Sequence, residues 1–171
     1  MSPKLKFFIW KAAKESLPTG ANLQHRGVSQ ATNCVHCNGH ETTLHALFLC
    51  IFAQRVWSLG PWNEQLDCSN SLSFQNLLVE SQTKRNLPSL GVSINLLPWL
   101  CWSIWYSRNQ LLFQNKSPSP RDTFNRAICL AKEWENAQFP PNSRTPNRLP
   151  PVQITSQSNN AIRCNTDAVE I

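Results

Sequence analysis

Apolar residues recur at helical spacing near the start of the chain. In the stretch KLKFFIWKAAKESL, residues 4–17, four apolar residues fall on one helical face, while the lysines lie largely on the others. These four are Leu5, Phe8, Ile9 and Ala12. Pro18 follows, and the residue before a proline is pushed out of the helical region. The pattern therefore predicts an amphipathic helix that stops at Pro18.

A second, shorter helix is predicted directly after this stop. Thr19 is a favourable capping residue for a helix over residues 20–26, and Gly27 can end that helix in the left-handed conformation. Two further helices are predicted from apolar spacing: IFAQRVWSLG (51–60), closed by Gly60-Pro61, and SLSFQNLLVESQ (71–82).

The longest helix is predicted over INLLPWLCWSIWYSRNQLLFQN, residues 94–115. Its expected buried stripe consists of Leu97, Leu100, Cys101, Ile104, Tyr106, Leu111 and Leu112. Pro98 lies in the first turn or kinks the helix. The segment 86–107 carries no charge, but its apolar core is shorter than the roughly 20 residues that span a bilayer. A buried core helix and no membrane partner are therefore predicted.

The last predicted helix has a strong start signal. In SPRDTFNRAICLAKEWENAQ, residues 119–138, Ser119 stands in the capping position and Pro120 at the first helical position. Asp122 occupies the position from which a side chain can reach back to the cap. A helix that begins at Pro120 is therefore predicted.

From residue 139 the composition changes abruptly to prolines mixed with Asn, Ser and Arg. This composition predicts an extended, poorly packed linker over 139–160. The stretch AIRCNTDAV beyond it favours one strand, which cannot fold alone.

The charge is unevenly distributed along the 171 residues. Lys and Arg number 16 against 10 Asp and Glu, which gives a formal net charge of +6. Most of the surplus lies in residues 1–60, whose basic residues are Lys4, Lys6, Lys11, Lys14, Arg26 and Arg55. This surplus is compatible with a polyanionic partner, and also with a helix face on which lysines only provide solubility.

The cysteine count bears on the compartment. Seven cysteines are an odd number, whereas a disulfide framework favours an even one, and the lysines near the N-terminus interrupt any secretory signal. A reducing, intracellular compartment is therefore predicted, in the nucleus or the cytoplasm, with cysteines kept as thiols or metal thiolates.

The stretch CVHCNGHETTLHALFLC, residues 34–50, concentrates cysteine and histidine. The spacing Cys-x2-Cys-x7-His-x4-Cys over Cys34, Cys37, His45 and Cys50 supplies three thiolates and one imidazole, which suits a closed, structural, tetrahedral zinc site. His45 is the preferred histidine, followed by His40 and then His36. The competing interpretation is three buried cysteines with scattered surface histidines.

This ligand set imposes a condition on the backbone. Residues five apart on an α-helix differ by about 140° in azimuth. If His45 and Cys50 bind one ion, the helix must therefore end or distort between Leu47 and Cys50.

The chain from Lys4 to Trp57 resembles the zinc-binding domain that follows the reverse transcriptase in plant LINE-type (non-LTR) retrotransposons. The matching motifs are Lys4, Lys6, Phe8 and Trp10; Leu17-Pro18-Thr19; Cys34 and Cys37; Glu41-Thr42 and His45; Cys50; and Phe52-Ala53 with Trp57. One departure is Ile51, where the family commonly has proline, which leaves the required helix break less clearly encoded.

The resemblance extends further along the chain. WSIWYSRNQLLFQNK is similar to the Trp-x-x-Arg-Asn-x-x-x-Phe helix that comes after the zinc domain, and IRCNTDAV to the first strand of an RNase H-like domain. Asp167 would match the first catalytic carboxylate of that domain, but RNase H chemistry needs several carboxylates around two metal ions. Only Asp167 and Glu170 are present in residues 161–171, so we expect no catalytic residue and no enzymatic activity in this chain.

These observations predict a mainly α fold: a small zinc-stapled helical domain, further helices, a Pro-rich linker and an isolated C-terminal strand. The predicted boundaries are 1–62 for an N-terminally truncated zinc-binding domain, 63–138 for a helical connector, 139–160 for the linker and 161–171 for the truncated start of an RNase H-like domain.

Three functions remain open at this stage. The first is a nucleic-acid-binding zinc module, in which Lys4, Lys6, Lys11, Lys14 and Arg26 contact phosphates. Phe7 and Trp10 are candidates for base stacking, although their helical spacing is more typical of core residues. The alternatives are an inactive, RNase H-type protein by kinship and a zinc-stapled protein-interaction domain with unknown partners.

Overall fold

The computed structural model describes residues 1–28, 30–60, 62, 73–82 and 91–138. Within these residues the fold is mainly helical and contains no sheet; a single antiparallel bridge joins Asn33 and His40. The α-helices are α1 (Pro3–Ala13), α2 (Gly20–His25), α3 (Ile51–Trp57), α4 (Phe74–Glu80), α5 (Leu97–Gln114) and α6 (Pro120–Gln138). A π-helical turn, His45–Leu49, precedes α3.

The buried face of α1 is the predicted one, formed by Leu5, Phe8, Ile9 and Ala12. The helix nevertheless ends at Ala13, well before Pro18, because Glu15 takes a left-handed conformation with φ 47°. The N–H groups of Glu15 and Ser16 donate to the carbonyls of Ala12 and Lys11, which is the Schellman arrangement with glutamate where glycine is usual.

The second helix follows the predicted capping scheme. The hydroxyl of Thr19 accepts from the Asn22 N–H, and Gly27 adopts the left-handed conformation with φ 69°. Gly20, the first residue of α2, lies so close to the backbone of Thr32 that an added Cβ would be 2.7 Å from its carbonyl atoms. Only glycine fits there, and the loop before the cysteine cluster can therefore pack directly on α2.

The fold is organised around α5, which contacts α1, α3, α6 and the π-helical turn. Its burial extends around most of its circumference and includes Trp99, Trp105 and Ser107. The single buried stripe predicted for this helix was therefore too narrow. Tyr106 and Leu111 are half-buried, and Leu112 is 45% exposed because it lies in the last turn; its predicted burial is wrong.

Both ends of the loop between α5 and α6 are defined by local signals. Asn115 ends α5 with φ 52° where this loop begins, whereas Pro98 lies in the first turn at the opposite end of that helix. The predicted start of α6 is confirmed, since the Asp122 carboxylate accepts from the Ser119 hydroxyl at 2.7 Å while Ser119 accepts from the Asp122 N–H. The buried hydroxyls of Ser107 and Thr123, 2.7 Å apart, then join α5 to α6.

The described residues share one hydrophobic core across the predicted boundary at residue 62. Phe8 of α1 packs edge-on against Trp102 of α5 with 5.2 Å between ring centroids, and Phe48 lies 6.0 Å from Phe74 of α4. The segment before residue 62 thus buries apolar surface against α4 and α5, and its stability depends on these helices.

Among the described residues, no helix is both long enough and apolar enough to cross a membrane. The predicted linker over 139–160, the RNase H-like segment over 161–171 with its strand and Asp167, and the turn residue Pro61 lie outside the described residues.

Candidate metal centre

The first two cysteines lie in a tight turn. The carbonyl of Cys34 accepts from the Asn38 N–H at 2.8 Å, and the Gly39 carbonyl accepts from the Cys34 N–H at 2.7 Å. Asn38 adopts φ 62°, a conformation that asparagine tolerates better than most residues. Gly39 leaves space for the histidine, since a Cβ there would lie 3.3 Å from Cε1 of His45.

His45 is positioned by Thr42, three residues before it in the chain. The hydroxyl of Thr42 accepts from the His45 N–H at 3.0 Å, and the Thr42 carbonyl accepts from the Ala46 N–H at 2.9 Å. Thr42 therefore caps the helical turn that carries the histidine.

The predicted distortion between His45 and Cys50 takes the form of a π-helical turn. The Cys50 N–H donates to the His45 carbonyl at 2.8 Å, an i→i+5 bond in place of the usual i→i+4. Cys50 itself is extended, with φ −60° and ψ 138°, and α3 begins at the next residue. The wider turn and the break bring both side chains to the same side, as the shared ion requires.

The four predicted ligands converge. The candidate ligand atoms of Cys34, Cys37, His45 and Cys50 all lie within 4.8 Å of one another. The sulfurs of Cys34 and Cys50 are 3.7 Å apart, close to the roughly 3.8 Å that two sulfurs at 2.3 Å from one tetrahedral ion would show. Cys37 Sγ lies 3.1 Å from His45 Nε2. Three sulfurs and one imidazole thus fit one structural zinc ion.

The other two histidines of the cluster are placed elsewhere. The His36 ring stacks on Phe52 with a centroid distance of 4.1 Å and an interplanar angle of 5°. His40 is exposed and takes part in the backbone bridge with Asn33. The preference for His45 as the ligand agrees with this geometry.

Backbone and side-chain donors favour negative charge on the sulfur of Cys34. The S–H of Cys50, followed by the N–H groups of His36 and Cys37, lowers the pKa of Cys34 to about 4, although burial opposes the shift. The contact with Cys34, reinforced by burial, raises the pKa of Cys50 above its ordinary value. Zinc binds cysteine as the thiolate, so a bound ion would stabilise the negative charge that these donors favour on Cys34.

Ile51, the one departure from the family pattern, occupies the first position of α3. Proline is favoured at that position because its missing N–H has no helical partner, and the extended Cys50 satisfies the restriction on the residue before proline. The helix break therefore forms without proline.

We expect Ile51→Pro to be tolerated and to raise the free energy of unfolding by about 0.4–1 kcal/mol, because proline lowers the conformational entropy of the unfolded chain. Gln54 is also exposed but lies inside α3, so Gln54→Pro is the matched control. It should lower the free energy of unfolding by about 3 kcal/mol or more. Denaturant unfolding of both variants measures the difference. A loss of more than 1 kcal/mol in Ile51→Pro would contradict the assignment of this residue to the first helical position.

Comparison with known families bears directly on this centre. Residues 1–57 match the family model described as zinc-binding in reverse transcriptase. The match supports a reverse-transcriptase zinc-binding domain in this segment, which contains all four converging ligands. No curated protein and no solved structure gave a match.

A buried ion pair connects the zinc-binding domain to α5. The Arg108 guanidinium donates through Nε to Glu41 Oε1 at 3.0 Å and through Nη2 to Glu41 Oε2 at 2.6 Å. Glu41 is fully buried and also accepts from the Gly20 N–H at 2.8 Å, while Arg108 lies over the Trp105 ring. Both residues belong to motifs of the sequence, but no local spacing pairs two residues that lie 67 positions apart.

The residues predicted to contact nucleic acid gather on and beside α1. The Lys4 ammonium lies 5.1 Å from the centroid of Trp102, and the Lys11 ammonium 4.7 Å from that of Phe7. Lys6 is exposed on the same helix and Lys14 is exposed at its C-cap, and the Arg26 guanidinium donates to the Ser16 carbonyl just after it. Phe7 and Trp10 are 56% and 55% exposed, so the alternative of core residues is wrong for both.

Proposed function

We propose that this protein is a module derived from a LINE-type retrotransposon that binds nucleic acid through its zinc-binding domain and has no catalytic activity of its own. The observation that carries the proposal is the cationic surface of α1, held on a zinc-stapled core. Residues 3–14 include four lysines and no carboxylate, which is the charge pattern that attracts phosphates.

The character of the metal centre supports a binding role over a catalytic one. All four ligand positions are filled by protein side chains, whereas a catalytic zinc keeps one position for water or substrate. The zinc would then stabilise the fold that presents α1, and would take no part in a reaction.

We expect binding of the full zinc-loaded chain to a 20-nucleotide single strand to weaken steeply with salt. Five cations are proposed to contact phosphates, namely the four lysines of residues 3–14 and Arg26. If each neutralises one phosphate, the slope of log K against log salt concentration is about −3.5. Affinity should then fall roughly 100-fold between 50 and 200 mM salt, which fluorescence anisotropy measures.

Charge-removing variants locate this interaction. Lys6→Gln/Lys14→Gln should reduce the magnitude of the slope by about 1.4, since two phosphate contacts are lost. Lys116→Gln/Lys132→Gln removes the same charge from exposed positions outside α1 and should leave the slope near the wild-type value. Absence of binding at 50 mM salt, or equal effects of both pairs, would contradict the proposal.

A further inference from the structure

The outer face of α1 combines exposed aromatic rings with lysines. With 100° per residue, the buried side chains centre on one direction, and the opposite arc holds Pro3, Lys6, Phe7, Trp10 and Lys11, with the C-cap residue Lys14 in the same direction. Phe7 and Trp10 are each more than half exposed, although aromatic side chains on a helix that packs against the core are usually buried. The two rings therefore form a surface feature that the packing of the helix does not explain.

The rings are arranged as a platform. Phe7 and Trp10 lie with 5.8 Å between centroids and 16° between planes, so they are nearly parallel and offset. The Lys11 ammonium lies over the Phe7 ring at 4.7 Å, a cation–π contact that restrains that ring. A further flat ring could extend this stack at a reduced cost in side-chain entropy, because Phe7 and Trp10 already contact each other.

The chemistry of the arc favours one form of nucleic acid. Stacking on an aromatic side chain requires an unpaired base, because bases inside a duplex already stack on one another. The arc contains no Arg, Asn or Gln, which are the common bidentate readers of base edges in the major groove. Aromatic rings flanked by lysines are instead the composition of sites that hold single strands without sequence preference.

We propose that the Phe7–Trp10 pair is a stacking platform for an unpaired base of single-stranded nucleic acid, with Lys6 and Lys14 on the flanking phosphates. The inference rests on the proposed nucleic-acid binding and assigns it a face and a strand form. The same face has the composition of a membrane-surface helix, rich in Lys and aromatic residues, so anionic vesicles are an arm of the test.

The test uses the full zinc-loaded chain and two probes, a 20-nucleotide single strand and a hairpin-closed duplex with no free ends. We expect Trp10→Leu to weaken single-strand binding about 5- to 150-fold and duplex binding less than twofold, with an unchanged salt slope. Trp10→Phe should retain most of the single-strand affinity. Phe113→Leu, which removes a 76% exposed ring from the end of α5, is the matched control and should change neither.

The outcomes separate this inference from the proposed function. Binding of both probes with equal affinity, or no effect of Trp10→Leu on the single strand, overturns the platform and leaves salt-dependent nucleic-acid binding intact. Binding of neither probe overturns both. Tighter binding to vesicles of phosphatidylserine and phosphatidylcholine than to the single strand, lost in Trp10→Leu, overturns the platform in favour of a membrane-surface helix. Unchanged zinc content and thermal unfolding verify that Trp10→Leu folds.

Discussion

Removal of zinc is expected to abolish cooperative folding of the N-terminal half. A structural zinc site contributes apparent free energy on the order of 10–16 kcal/mol, which equals or exceeds the 5–15 kcal/mol by which a typical domain is stable. In the described residues between α2 and α3, regular structure is limited to one bridge and a short helical turn, while Cys34 and Cys50 belong to the hydrophobic core. Without the ion, little remains to hold this stretch in place.

Two exposed cysteines provide a matched pair for this prediction. Cys37 and Cys129 are both exposed, but only Cys37 belongs to the four-residue cluster. Cys37→Ser should weaken zinc binding by more than about 100-fold. Loss of a residue that only hydrogen-bonds to a metal ligand already lowers metal affinity 10- to 100-fold, and Cys37 is itself a ligand. Cys129→Ser should leave it unchanged.

Circular dichroism with and without a chelator measures the folding consequence. We expect the wild type and Cys129→Ser to lose helix content only when chelator is added. Cys37→Ser should show the same low helix content even in the absence of chelator. Equal thermal unfolding of all three proteins in chelator and in zinc would contradict the prediction.

Removing one partner of the Glu41–Arg108 pair is expected to destabilise the protein by about 3–5 kcal/mol. Arg108→Met would leave a fully buried carboxylate with the Gly20 N–H as its remaining described donor, and the cost of an uncompensated buried charge is large. Because Glu41 lies beside the metal-binding segment and Arg108 on α5, the loss should also loosen the attachment of the zinc-binding domain to the later helices.

A double-mutant cycle isolates the pair. Glu41→Met/Arg108→Met should be less destabilised than the sum of its single variants, since neither charge then remains buried. Arg55→Met removes an exposed arginine and should stay within about 0.5 kcal/mol of the wild type. Denaturant unfolding measures all four variants, and a cost below 1 kcal/mol for Arg108→Met would contradict the buried pair as a major contributor.

Local signals explain why much of the fold was predictable. The zinc ligands lie within seventeen residues, so their spacing alone restricts how they can meet, and the azimuth of His45 and Cys50 required a distortion that the structure provides as a π-helical turn. The caps at Thr19 and Ser119 also act within three residues. Each of these features depends on neighbours in the sequence.

The features that were not predictable depend on distant partners or on exceptions to local preference. Glu41 meets Arg108 only because α5 packs beside the zinc-binding domain, and no periodicity encodes that contact. Glu15 ends α1 in a left-handed conformation that its residue type disfavours. Helical spacing identified the buried face that holds Leu5 and Phe8, but it also made core positions more typical for Phe7 and Trp10, which are exposed.

X-ray absorption at the zinc edge of the purified full chain tests the central claim most directly. The account predicts one zinc per chain, bound by three sulfurs at about 2.3 Å and one nitrogen at about 2.0–2.1 Å. A coordination shell with fewer than three sulfurs, or a sample without zinc that is nevertheless folded, would contradict it.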